Sequence, residues 1–151
     1  MKKITPFLWF DTQAEEAMNL YVSIFKNSKV LNVAKNGDQV FQVSFELDGQ
    51  QFMAINAGPL YKFTEAISFY IDCEDQAEVD YITEKFITNG GTQENCGWIK
   101  DKFGLSWQII PKALGELMSD PDPIKSQRVM QAMLKMKKLD VEGLKKAYNQ
   151  E

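Results

Sequence analysis

A chain of 151 residues, 44% hydrophobic and 25% charged, is the size of one domain and can bury a continuous core without disulfide staples, which argues against disorder. It has no histidine, which excludes a histidine metal ligand, a histidine general base and a histidine-activated nucleophile. The net charge of −4 divides into −8 over residues 1–123 (10 Lys+Arg against 18 Asp+Glu) and +4 over residues 124–151 (7 against 3), a balance unsuited to phosphate contacts and so to nucleic acid.

Ile4 to Phe10 reads as an apolar, aromatic strand, and Asp11-Thr12 followed by Glu15 has the form of a capped helix start. Ala14, Ala17, Tyr21, Ile24 and Phe25 recur at spacings of three and four, which predicts a helix to about Phe25 with one buried face. Three strands follow at Lys29–Lys35, Val40–Leu47 and Gln51–Ile55, joined by hairpin turns at Asn36-Gly37 and Asp48-Gly49. The first unit is therefore βαβββ.

After a connecting loop over residues 57–65, Ser68-Phe69-Tyr70-Ile71-Asp72 echoes Phe7-Leu8-Trp9-Phe10-Asp11, and Gln76-Ala77-Glu78 echoes Gln13-Ala14-Glu15. The second helix presents Val79, Ile82, Phe86 and Ile87 and ends at Gly90-Gly91, and strands follow up to Lys100 and over Leu105–Ile110. An offset of about 61 to 63 residues fits two copies of one supersecondary unit. The expected class is α+β, with tandem βαβββ halves at about residues 1–56 and 66–111 in a domain of residues 1–119, and a helical extension over 120–151 packed on it or on a partner subunit. In that extension Asp122 caps and Pro123 begins a basic helix whose apolar surface is Met130, Met133, Leu134 and Met136. A second short helix after Asp140 presents Leu144, Ala147 and Tyr148.

Cys73 and Cys96 have neither zinc-site nor redox-pair spacing, so free thiols are expected, and with no signal peptide or membrane span in view the expected location is the cytoplasm. Neither cysteine has a histidine to form its thiolate. Strand alternation places Ser106, Gln108 and Ile110 on one face and Leu105, Trp107 and Ile109 on the other. Trp98 and Trp107 either stack on a flat ligand or fill the core, Lys100 and Lys102 either meet an anion or lie in solvent, and Trp9 belongs either to the core or to a ring-lined cleft. Cys96 precedes this group. No phosphate loop or dinucleotide fingerprint is present.

The opening Ile4-Thr-Pro-Phe-Leu-Trp-Phe-Asp11, the closing stretch from Cys96-Gly-Trp-Ile-Lys-Asp to Trp-Gln-Ile-Ile-Pro111, and Asp120-Pro-Asp-Pro, Arg128-Val-Met and Ala132-Met-Leu in the tail resemble the PhnB-like family of the glyoxalase/bleomycin-resistance, or vicinal oxygen chelate, superfamily. The resemblance implies a curved, partly open mixed sheet around a cleft, a homodimer, and a small-molecule ligand. It also implies metal positions on the first and last strands of each half. Where superfamily enzymes follow Asp-x-x-Gly by a ligating Glu four residues after the glycine, this chain has Gly104 and then Gln108; near the start of the second half only Glu65 is available. Gln108 and Glu65 are too few to hold a divalent metal, so no cofactor is expected. The family's methyltransferase label would imply S-adenosylmethionine, although no glycine-rich loop follows a strand. The expectation is a binder of a small, partly aromatic or hydrophobic molecule contacting Gln108, Trp98, Trp107, Lys100, Trp9 and Cys96, with a superfamily enzyme as the alternative.

Overall fold

The computed structural model describes residues 2–151. Residues up to Phe63 form one compact unit and those from Thr64 onward a second.

In the first unit β1 (Phe7–Phe10), α1 (Ala14–Ile24), β2 (Lys29–Asn36), β3 (Gln39–Leu47) and β4 (Gln50–Asn56) build a sheet of order β1-β4-β3-β2, in which β1 runs parallel to β4. Alternate residues of the strands, among them Leu8, Phe10, Val43, Phe45 and Ala54, are buried together with Ala14, Ala17, Met18, Tyr21 and Ile24 of α1. Met18 takes the place expected of Phe25, because α1 ends at Ile24 and Phe25 is already extended. The predicted local cap does not form. Gln13 occupies the cap position without a side-chain bond, and the Ala14 N–H donates to Asn56 Oδ1 at 2.8 Å from the end of β4. The Asn56 amide in turn donates to the Val40 carbonyl at 3.1 Å, so one side chain ties helix start, β3 and β4 together. The first hairpin turns one residue later than expected, because Asn36 still pairs with Gln39.

The second unit repeats the plan. β5 (Ser68–Cys73), α2 (Gln76–Thr88), β6 (Thr92–Gln93), β7 (Trp98–Lys100) and β8 (Ser106–Pro111) form a sheet of order β5-β8-β7-β6, again with its first and last strands parallel. Asp75 accepts the Glu78 N–H while Glu78 Oε1 accepts the Glu74 N–H, a reciprocal cap that fixes the start of α2. Val79, Ile82 and Phe86 are buried as expected; Ile87 is exposed, and Thr83, one turn earlier on the buried face, takes its place. Gly90 adopts the positive φ of 92° that the predicted end of α2 requires.

Past β8 the chain forms α3 (Lys112–Met118), which carries no strong start signal in sequence, then α4 (Pro123–Leu134) and α5 (Val141–Asn149). Asp122 caps α4 through the Ile124 N–H with Pro123 in its first turn, and Asp140 caps α5 through the Glu142 N–H. These helices belong to the second unit. Ile110, Leu114, Val129, Leu139 and Leu144 form their buried cluster, with Met133 and Met136 packed against it. The expected methionine surface is thus split, since Val129 is buried while Met130 and Leu134 are 41% and 54% exposed. Among the described residues no helix is long and apolar enough to cross a membrane.

Candidate functional site

In β5-β8-β7 the central strand β8 has a neighbour on each side, and directly opposed residues in a ladder share a face. The register therefore creates two rows on one face, Ser68–Ser106–Lys100 and Tyr70–Gln108–Trp98, and between them on the opposite face the row Phe69–Trp107–Ile99. The opposite face is closed by α2: Trp107 is 3% exposed, with ring centroids 5.4 Å from Phe69 and 5.2 Å from Phe86. Trp107 is a core residue. It cannot share a flat ligand with Trp98, because the two indoles leave the sheet on opposite sides.

The other face is open around Gln108 and closed at Ser106 and at Ile110, which lies in the cluster of the tail helices. Tyr70 is 60% exposed, and Trp98, Gln108 and Lys100 are partly exposed. Tyr70 and Trp98 flank Gln108 two strand spacings apart, about 10 Å. Gln108 Nε2 donates to Ser68 Oγ at 2.9 Å, which links the two rows. Ser106 is fully buried, and its hydroxyl has no hydrogen-bond partner. Lys100 does not stand alone in solvent, because it pairs with Glu65. The bond from Lys100 holds the Glu65 carboxyl below the usual carboxylate range and raises the Lys100 ammonium in return.

The loop between β7 and β8 explains the Asp-x-x-Gly pattern. Asp101, 4% exposed, accepts the N–H groups of Phe103 and Leu105 on one oxygen, at 2.9 and 3.0 Å, and the Trp107 indole N–H on the other at 3.0 Å. Asp101 is a scaffold carboxylate that orients the turn and the strand carrying Gln108. It and Tyr70 were not among the residues singled out from sequence. Tyr70 had a signal, since it stands in β5 where Trp9 stands in β1.

Trp9 lies in the first unit, where its indole N–H donates to the Gly58 carbonyl at 2.9 Å and its ring meets Tyr61 edge-on at 4.9 Å; it anchors the loop after β4. Cys96 takes a left-handed conformation, φ 59°, and its N–H donates to the Met136 carbonyl at 2.9 Å, so its backbone holds the tail rather than the open face. Cys73 is buried and burial pushes its thiol up to about 12. At pH 8 a thiol-exchange reagent should accordingly modify the partly exposed Cys96 while Cys73 stays protected until denaturant is added, an expectation checked by mass spectrometry of tryptic peptides. Equal labelling of both thiols in the native protein would contradict it.

The metal that the superfamily implies does not fit these residues. Gln108 is engaged with Ser68 and Glu65 with Lys100, and the repeat places Ile55, opposite Trp9, where the second unit has Gln108, opposite Tyr70. A hydrocarbon at that position donates no lone pair. Among the described residues no three of His, Cys, Asp and Glu come together. Each unit also carries a groove. One of about 670 Å³ in the first unit is lined by Asp11, Glu15, Phe41 and Asn56, and one of about 630 Å³ lies between α4 and α5 beside Arg128 and Lys146.

Residues 2–110 match the family model described as 3-demethylubiquinone-9 3-methyltransferase. The chain belongs to that family. A 3-demethylubiquinone-9 3-methyltransferase-type PhnB protein from Bacillus cereus is 33% identical over 73% of this chain and 99% of its own, with a TM-score of 0.68. Protein PA1353 from Pseudomonas aeruginosa, 16% identical over 74% of this chain and 98% of its own, gives 0.64. The fosfomycin resistance protein FosX from Listeria monocytogenes, 15% identical over 71% and 90%, gives 0.52 and shares the fold alone. No curated protein sequence matches the chain. The chain is thus PhnB-like, and its fold is also that of a glyoxalase/bleomycin resistance protein from Albidiferax ferrireducens. The cofactor that the family's description brings to mind, S-adenosylmethionine, finds no usual cradle here. β1 passes into α1 through Asp11-Thr12-Gln13 and β5 into α2 through Glu74-Asp75, which puts carboxylates where a doubly wound nucleotide site has glycine amides.

Proposed function

We propose that this PhnB-like protein binds a small, partly aromatic or hydrophobic molecule on the open face of its second sheet, without metal catalysis. The Tyr70–Gln108–Trp98 row carries the reading: two partly exposed rings stand in register on either side of one amide, on the face that α2 leaves uncovered. A flat ring laid over the row gains apolar contact from both sides and finds the amide and the Ser68 hydroxyl beneath it. No side chain on this face has the pairing of nucleophile and base that covalent catalysis needs.

Calorimetric titration with 2-naphthol tests the reading, with tryptophan fluorescence as a second readout. Trp98→Ala is expected to weaken binding about tenfold, the loss of one ring contact, while Ile87→Ala on the exposed side of α2 leaves it unchanged. Undiminished affinity in Trp98→Ala would refute the site. A stoichiometric micromolar heat with S-adenosylmethionine would replace this reading with methyl transfer.

A further inference from the structure

The row beside the rings is charged, and its charge is already answered from within the chain. Lys100 stands two residues from Trp98 on the same face of β7, roughly 7 Å along the strand. Its partner Glu65 is not part of the sheet; it lies in the irregular segment before β5. The side chains of Lys100 and Glu65 are 38% and 55% exposed, so solvent and solutes reach both. Opposite Lys100 is Ser106, whose hydroxyl is buried beneath the row and not presented to a ligand, so the ammonium is the group that meets an anion here.

From this we infer that the ligand is a planar aromatic carboxylate and that Glu65 is an internal counter-ion which the ligand's carboxylate displaces from Lys100. The inference rests on the reading of the Tyr70–Gln108–Trp98 row as a ring-binding site. A carboxylate at the edge of a ring laid over that row lies one row away from Lys100, within the reach of its long side chain. Exchange of Glu65 for the ligand carboxylate keeps one anion on Lys100, and exposed ion pairs are weak enough to be exchanged at little cost. Glu94, which also acts on Lys100 through its charge, stays in place and sets the background against which either anion competes. A neutral ring gains nothing from this exchange. The Glu65–Lys100 pair is then a selectivity device: it keeps the ammonium from attracting any passing anion and yields to one that brings ring contact with it.

Matched probes separate the two readings. 2-Naphthoate and 2-naphthamide differ in charge and share the ring, and both are titrated into the full chain at low salt. Glu65→Gln removes the internal competitor and should tighten 2-naphthoate about fivefold while leaving 2-naphthamide within about twofold, a gain that shrinks as salt is raised. Lys100→Met should abolish the preference for 2-naphthoate in both the wild-type and the Glu65→Gln backgrounds. If 2-naphthamide binds and Glu65→Gln shifts the two probes equally or not at all, the exchange is wrong and the ring site stands. If neither probe binds up to millimolar concentration, the ring site and the exchange fall together.

Discussion

Gly97→Ala should destabilise the second unit by about 4 kcal/mol, since it combines a left-handed non-glycine residue with an overpacked contact. Gly97 has φ +83°, and a β-carbon there would sit 2.8 Å from the Ile109 carbonyl oxygen of β8 and 3.1 Å from side-chain atoms of Ile110 and Leu139. The first of these neighbours is backbone and cannot swing away. The same residue joins sheet to tail, because the Gly97 N–H donates to the Lys137 carbonyl at 2.7 Å beside the Cys96 bond to Met136. The segment so held is gripped from the other side by α2, where Gln76 donates to the Leu139 carbonyl at 3.0 Å and accepts the Val141 N–H at 2.7 Å. Displacing Gly97 therefore loosens the connection between α4 and α5. Urea denaturation should show the stability loss, and limited trypsin digestion should show cleavage after Lys135, Lys137 or Lys138 earlier than in the wild type. An unchanged denaturation midpoint would mean that β8 yields at Ile109 more readily than its place in the core allows.

Asp101→Ala is expected to cost about 3 kcal/mol, because it strips three N–H groups of their acceptor, two of them at a place closed to water. Leu105 and Trp107 are among the most buried residues of the chain, and both donate to this carboxylate. For a domain of this size the loss corresponds to a fall in Tm of roughly 6–12 °C. Asp101→Asn separates the two duties of the side chain. Its Oδ1 still accepts from Phe103 and Leu105 and preserves the turn, while its amide nitrogen faces the Trp107 indole, donor against donor. About half the cost of the alanine variant should follow, with the change concentrated in the near-UV signal of tryptophan. Equal losses in the two variants would place all the energy in the indole bond and none in the turn. Because Asp101 fixes the exit from β7 and the entry to β8, the alanine variant should also blur the register that sets Trp98 beside Gln108.

The duplication, the α+β class and the helix stripes were legible in the residues. Apolar spacing marks the faces of α1 and α2, and the Asp122-Pro123 and Asp140 signals mark the starts of α4 and α5 because a cap acts within a few residues of itself. The missing histidines likewise narrowed the chemistry with no coordinates at all.

Whatever depends on a partner distant in sequence was not legible. Alternation divides β8 correctly into two faces, yet it does not say which residue of β7 stands opposite Gln108; only the antiparallel register pairs Trp98 with Gln108 and sends Trp107 to α2. Asn56 caps a helix that begins 42 positions earlier, and Gln108 is held by a serine 40 positions away, contacts invisible to any local pattern. In the tail the methionines outnumber the valine, but the helix turns Val129 inward because Leu139 and Leu144 meet it there, and helical spacing cannot report what lies on the other side of the interface. Local periodicity reflects backbone geometry and is written into a short window; the open face exists because three strands from separate stretches of chain align, and that alignment is a property of the folded sheet.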